Sequence, residues 1–95
     1  MRKIASHSIF WKQLYPLSYM ELTEEGIFLG IYPLQGETAS TEFYDGLLVP
    51  VPEGTLLSSP FTPEQIRRSG ITERVSTGDK IYLYRLHGGI MHRLL

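Results

Sequence analysis

Residues 18–32 read SYMELTEEGIFLGIY and indicate a β-hairpin. Two largely apolar stretches, residues 18–23 and 27–32, flank the turn sequence EEG. This spacing fits a type I turn followed by Gly26 in the left-handed region, which only glycine adopts without a steric penalty. The second stretch carries apolar side chains at both alternating sets of positions. It therefore predicts a strand covered on both faces, either within the chain or by a second subunit.

Outside this hairpin, glycines and prolines recur at short intervals and separate further short apolar stretches. Residues 46–51 and 55–58 predict a second β unit around the sequence PEG. Residues 80–87 and 90–95 predict a terminal hairpin, because the pair GG at 88–89 is what a primed two-residue turn requires. The fold class expected is mainly β, a small barrel or sandwich of five to seven short antiparallel strands.

Prolines mark one stretch of the second β unit. Residues 49–52 read VPVP, and neither Pro50 nor Pro52 can donate a ladder hydrogen bond. We therefore expect this stretch at a sheet edge or outside the sheet.

One two-turn helix is expected at residues 63–69. Thr62 provides the N-cap, Pro63 occupies the first helical position, and Gln65 completes a capping box. Gly70 ends the helix, and Ile71 can fold back onto Ile66.

Length and composition indicate one small soluble domain, residues 1–95. The chain has 95 residues, 42% of them hydrophobic and 20% charged, which is ordinary for a globular protein. It contains no cysteine, which excludes disulfides, thiolate metal sites and cysteine nucleophiles. Because no targeting signal follows Met1, we expect a complete, cytoplasmic protein, and no apolar run is long enough to cross a membrane.

Charge is unevenly distributed along the chain, although the formal net charge is −1. Residues 13–66 contain eight acidic residues and no Lys, Arg or His, whereas the segments on both sides carry an excess of cations. Either the fold interleaves these segments and their charges cancel locally, or the protein presents one acidic and one basic surface suited to association.

Catalytic and cofactor motifs are missing from the sequence. It has no glycine-rich phosphate loop, no dinucleotide fingerprint and no nucleophile elbow. His87 and His92 share a face of the predicted terminal hairpin, but no metal-ligand spacing accompanies them. We expect a non-enzymatic protein without cofactor or metal, and we expect these two histidines to be surface residues.

Aromatic residues suggest a function in protein binding. Most of them fall between residues 10 and 44, where they serve either the core or an aromatic binding surface. The candidate partner-binding residues are Trp11, Tyr15, Tyr32 and Tyr44. The function expected is a protein-interaction or assembly module, with a protein partner or a second copy in a homodimer. Three features favour the homodimer: the uneven charge, the two-sided apolar strand at 27–32 and the proline-marked edge at 49–52.

Nucleic-acid binding is the alternative function, and a small hydrolase is a third. Tyr residues near cations in the C-terminal third are typical of small barrels that hold single strands. The candidate residues are Arg67, Arg68, Lys80, Tyr82, Tyr84, Arg85 and Arg93. A sequence pI of about 6.3 argues against this alternative.

Overall fold

Six strands of this chain form one strongly curled sheet. The computed structural model describes residues 1–36, 40–57 and 62–95. Its strands are β1 (Arg2–Trp11), β2 (Gln13–Leu22), β3 (Phe28–Pro33), β4 (Thr41–Pro52), β5 (Ile81–His87) and β6 (Ile90–Arg93). Between β4 and β5 lie a helix, α1 (Pro63–Ser69), and a 3-10 helix (Ile71–Arg74). The strand order is β3-β2-β1-β4-β5-β6.

The curl brings the start of β3 towards the start of β5. The Phe28 N–H donates to Asp79 O, and the Gly78 N–H donates to Phe28 O, both at 2.8 Å. The described residues thus form a single small domain that is mainly β, as the sequence predicted. One pair departs from the expected antiparallel arrangement, because β1 and β4 run parallel. The β2–β3 hairpin lies on one side of β1, and the chain returns on the other side in the same direction as β1.

Two apolar clusters lie on opposite faces of this sheet. The inner face holds the larger one, which contains Ile4, Ile9, Met20, Leu22, Phe28, Leu48, Val75, Ile81 and Leu83. The outer face of β4 and β5 holds the second, which contains Val49, Val51, Ile66, Ile71, Tyr84 and Leu86. Since Ile66 comes from α1 and Ile71 from the 3-10 helix, these two helices cover that part of the outer face.

Local turn and capping signals in the sequence are confirmed. Thr62 and Gln65 make both hydrogen bonds of the capping box, and Gly70 ends α1 with φ +67°. Gly26 has φ +95° in the β2–β3 turn. In the terminal hairpin, His87 pairs with Ile90 and Arg85 pairs with His92, as expected.

The predicted second β unit is wrong in its second half. Residues 55–57 are not a strand, and Ser58 lies outside the described residues. The Tyr84 hydroxyl instead holds this segment by donating to Thr55 O and accepting from the Leu57 N–H. The antiparallel partner of β4 is β5, which lies about 30 residues further along the chain and pairs with β4 over six positions.

The two prolines of β4 occupy the half of the strand that β1 does not reach. The parallel ladder with β1 ends at the Ile9–Leu48 pair, whereas β4 continues beside β5 as far as Pro52. The Glu53 N–H donates to Lys80 O. Because backbone groups alternate in direction, the nitrogens of Pro50 and Pro52 point away from β5. The missing N–H groups therefore remove no hydrogen bond from the ladder.

Candidate interaction surface

None of the residues that the structure describes covers an apolar area on the outer face of β1–β4, beside the part that the helices cover. We call it the outer patch and define it by Tyr32 of β3, Leu14, Leu17 and Tyr19 of β2, His7 of β1 and Phe43 of β4. Four of these side chains are large, apolar and well exposed: Leu14 (56%), Leu17 (56%), Tyr32 (41%) and Phe43 (49%). Contiguous apolar patches of this kind mark interaction sites more often than isolated apolar residues do.

One part of the outer patch is a row of three aromatic rings and one alanine, which lie side by side on four neighbouring strands. Tyr32 pairs with Tyr19, Tyr19 pairs with Ala5, and Ala5 pairs with Phe43. The Tyr19 and Tyr32 ring centroids are 5.6 Å apart. Ala5 lies in the middle of the row and is fully buried. Neighbouring side chains therefore cover Ala5 completely.

His7 of β1 extends the patch beyond this row, next to Phe43. Its ring meets the Phe43 ring edge-on, with centroids 5.2 Å apart. The Nδ1 atom of His7 lies 3.7 Å from Oδ1 of Asp45. An imidazole next to a carboxylate thus forms the polar border of this part of the patch.

A local irregularity directs Leu17 outward together with Leu14. Between the Ser6–Ser18 and Ser8–Pro16 pairs, His7 and Leu17 lie opposite each other outside the regular ladder. Leu17 has φ +44°, in the left-handed region. Tyr15 packs against the inner cluster, so alternation places Leu14 on the outer face, while Leu17 shares the outer face with Tyr19. An even-numbered and an odd-numbered residue of β2, Leu14 and Leu17, therefore contribute to one surface.

A groove of about 650 Å³ continues the outer patch towards α1 and the β5–β6 turn. It shares His7 and Leu14 with the patch, and its other lining residues include Leu47, Pro63, Leu86 and Gly89. Gly46 lies in this groove at a bulge in β4, where the Ser6 hydroxyl donates to Gly46 O at 2.6 Å. Its lining is mostly apolar, and its volume falls within the usual range of ligand and side-chain pockets.

The ionisable groups with clearly shifted pKa values lie elsewhere, near the start of β1. Arg2 donates to both carboxylate oxygens of Glu42, at 3.0 and 2.9 Å. This hydrogen bonding raises the pKa of Arg2 and lowers the pKa of Glu42. Tyr44 donates to Glu42 as well, and partial burial is the main reason that the Tyr44 pKa is raised. The cluster is a structural ion pair, since each charged group is matched by its neighbour.

Charges from the acidic middle segment are matched by cations from both ends of the chain. Glu24 pairs with the N-terminal ammonium at 2.9 Å, and Glu42 pairs with Arg2. Glu53 lies 3.4 Å from Lys80, and Glu64 contacts Arg67 and Arg68. This pairing supports local cancellation over separate acidic and basic surfaces.

Of the four candidate partner-binding aromatics, only Tyr32 belongs to the outer patch. Trp11, Tyr15 and Tyr44 pack against the inner cluster. The Trp11 indole N–H donates to Val75 O at 2.9 Å. These three side chains are partly buried against the inner cluster, while Phe43, Leu17 and His7 are more exposed.

Most of the candidate nucleic-acid residues are buried or already paired within the chain. Tyr84 is only 4% exposed, so its ring cannot stack on a base. Arg93 lies over the Tyr82 ring, 4.3 Å from its centroid, and Arg85 donates to Asp45 O. Lys80, Arg67 and Arg68 are occupied by the ion pairs with Glu53 and Glu64.

Over residues 1–36, 40–57 and 62–95, no three His, Asp or Glu side chains are arranged to hold a metal ion. Within the same ranges, no helix is long and apolar enough to span a membrane.

Comparison with known proteins gives no match for this chain: no family model fits it, and no curated protein and no solved structure is significantly similar to it. The function must therefore be argued from the outer patch itself.

Proposed function

We propose that this chain is a non-enzymatic assembly module that forms a homodimer by packing its outer patch against the outer patch of a second copy. The observation that carries this proposal is the exposure of Leu14, Leu17, Tyr32 and Phe43 on one continuous face. Removing these side chains from water is favourable at roughly 25 cal/mol per Å² of apolar surface.

The exposed outer patch replaces the stretches 27–32 and 49–52 as the reason for expecting a dimer. In β3, Phe28 is buried in the inner cluster and Ile31 packs against it. In β4, Val49 and Val51 lie under the helices, in the outer cluster. Among the residues of these two stretches that the structure describes, Tyr32 alone is a well-exposed large side chain, so the association surface shifts to the outer patch.

The exposed area supplies most of the apolar part of a dimer interface. A large aromatic side chain presents about 150–250 Å², and leucine somewhat less. At about half exposure, the four residues leave on the order of 300–400 Å² of apolar surface per chain. A standard interface buries about 800 Å² per partner, of which roughly 60% is apolar. Half-buried Tyr19 and the groove supply the remainder.

Charge on the outer face is suited to contact with an identical copy. Lys3 and Glu21 are cross-strand neighbours at its upper margin, and Lys3 Nζ lies 5.8 Å from the Tyr19 ring centroid. One charge of each sign leaves this margin close to neutral. A self-complementary contact requires such balance, because a strongly charged patch would repel its own copy. A polyanion such as nucleic acid favours a basic surface instead.

The proposal includes a cytoplasmic location, because a chain without cysteine forms no disulfide bond that an oxidising compartment would maintain. The nucleic-acid alternative receives less support. Its aromatic and basic candidates are buried, paired or separated, as described above. The hydrolase alternative also receives less support, since no serine hydroxyl among the described residues is hydrogen-bonded to a histidine; the serine hydroxyls that donate do so to backbone carbonyls.

Sedimentation equilibrium between about 1 and 200 µM tests the proposal. We expect the wild-type mass to rise from 10.9 kDa towards twice that value as concentration increases. Phe43→Ser should weaken association, because it removes an exposed ring from the β4 end of the aromatic row. Leu56→Ser is the matched control, since Leu56 is 79% exposed and lies in the segment after β4, away from the patch.

A single 10.9 kDa species at every concentration would contradict the homodimer. A parallel titration with labelled single-stranded DNA at low salt addresses the alternative. Binding that falls steeply with salt and is abolished by Phe43→Ser would assign the patch to nucleic acid instead.

A further inference from the structure

Leu17 combines two properties that the packing of a single chain does not account for. It is a bulky residue in the left-handed backbone region, with φ +44°, and its side chain is more than half exposed. For residues other than glycine, this region is unfavourable by roughly 1–2 kcal/mol. Asparagine, aspartate and glycine are the residues usually found there.

A backbone hydrogen bond accounts for the conformation but not for the residue type. The Leu34 N–H donates to Leu17 O at 2.9 Å. That bond needs only the main chain at position 17, and glycine would make it with less strain. An exposed leucine at such a position contributes little to the folded monomer. Unfavourable conformations that persist in this way are concentrated at functional sites.

The groove that continues the outer patch offers a matching apolar recess on the same face. His7 lies opposite Leu17 on the neighbouring strand and also lines the groove. Leu47 and Leu86 line it as well. A projecting leucine and an apolar recess thus lie side by side on one surface.

We infer that Leu17 anchors the proposed homodimer by inserting into the groove of the partner copy. The inference depends on the homodimer and specifies how its two patches engage. In a twofold contact each copy supplies the same surface, so one projection and one recess per chain give two equivalent insertions. Adjacent positions on the face allow both insertions to form in one contact, near the twofold axis. The polar border formed by His7 and Asp45 would then lie at the rim of each groove.

Leu17→Gly distinguishes this anchor from a residue that stabilises the monomer. If Leu17 acts only in the dimer, glycine should leave the stability of the dilute monomer unchanged or raise it, because glycine relieves the φ strain and removes an exposed side chain. If Leu17 stabilises the monomer, glycine should lower that stability. We expect the dimer dissociation constant to rise about tenfold for each lost insertion, and so on the order of 100-fold in total. The urea midpoint of the monomer, measured at protein concentrations below the dissociation constant, should be unchanged or higher.

Leu56→Gly serves as the control for removing an exposed leucine, and it should leave the dissociation constant unchanged. Wild-type dimerisation together with an unchanged constant for Leu17→Gly would overturn the anchor while leaving the homodimer intact. A lowered monomer midpoint for Leu17→Gly would likewise assign Leu17 to the fold. A wild-type protein that stays monomeric would instead overturn the homodimer itself.

Cross-linking locates the recess directly, because the natural chain has no cysteine. One tagged copy carries Leu17→Cys, and a differently tagged copy carries His87→Cys, at the groove lining. With one cysteine per chain, a disulfide between the two tags reports contact between copies. We expect this product under mild oxidation at dimer concentrations, and far less of it when Leu56→Cys replaces Leu17→Cys. Equal yields for the two pairs would contradict insertion into the groove.

Discussion

Replacing Gly46 with alanine should destabilise the protein strongly, because this glycine lies where β4 and β5 meet at the groove. A Cβ atom built on Gly46 would lie 2.5 Å from Leu86 O and 3.0 Å from the His87 Cβ. Gly46 also has φ +99°, which L side chains rarely adopt. The obstructing atoms belong to the backbone and first side-chain carbon of β5, so a rotamer change cannot relieve the contact.

The expected loss is about 2–5 kcal/mol. Backbone strain contributes roughly 1–2 kcal/mol, and overpacking against β5 adds about 1–3 kcal/mol. A domain of this size has a total free energy of unfolding of about 5–14 kcal/mol. The substitution therefore removes a large fraction of the stability.

Gly54→Ala is the matched control. Gly54 has a similar φ of +89°, but no atom lies within 4 Å of its added Cβ, so only the strain term applies. In urea melts with a slope of about 1–2 kcal/mol per M, Gly46→Ala should lower the midpoint by about 0.5–3 M more than Gly54→Ala does. Equal midpoints for the two variants would refute the steric argument and the tight β4–β5 contact at Gly46.

Three further predictions concern the helix, the Arg2–Glu42 pair and the dimer. Thr62→Ala should lower the free energy of unfolding by about 1 kcal/mol in urea melts, because α1 loses its capping hydrogen bond; an unchanged value would contradict the cap. Glu42→Gln should destabilise the protein at pH 7 by less than about 1 kcal/mol, since both side chains of the pair are partly exposed. Because Arg2 lowers the pKa of Glu42 below its ordinary value of 4.5, this contribution is present above that value and is lost as the pH falls through the lowered pKa. Melts from pH 7 to pH 2 should therefore show the gap to wild type closing, and a constant gap would be inconsistent with the ion pair. Dimer dissociation constants at 0.05 and 0.5 M salt should agree within a few fold, because the four well-exposed large side chains of the outer patch carry no charge; a steep dependence would indicate an electrostatic interface.

Features encoded by neighbouring residues were predictable from the sequence. The cap of α1 depends on residues 62–65, and the two hairpins depend on Gly26 and the pair at 88–89. Each signal acts over a few residues through backbone conformation or a local hydrogen bond. For this reason the helix bounds and the terminal register agree with the structure in detail.

Features that depend on distant pairing were not predictable. The sequence carries no clear strand signal at β1, because the polar sequence Ser6–His7–Ser8 interrupts the apolar alternation. Its central position depends on two ladders, with β2 and with β4, and the second is a parallel pairing over about 40 residues of sequence. The outer patch depends on the interruption of the β1–β2 ladder at His7 and Leu17. Because the inward–outward alternation of β2 shifts by one residue there, Leu14 and Leu17 both point outward.

Aromatic composition alone could not separate core from surface. Trp11 and Tyr15 are rich in contact area and were natural candidates for binding, but they face the inner cluster. Phe43 faces outward because even-numbered positions of β4, including Tyr44 and Leu48, pack against the inner cluster. The direction of a strand's alternation is decided by tertiary packing.

Two-dimensional NMR of the backbone amides, recorded from about 10 µM to 1 mM, tests the central claim that the outer patch associates with itself. The proposal predicts concentration-dependent shifts at Leu17, Tyr19, Tyr32 and Phe43, with no change at Leu56. Shifts that are absent over this whole range, or that fall outside the patch and its groove, would contradict it.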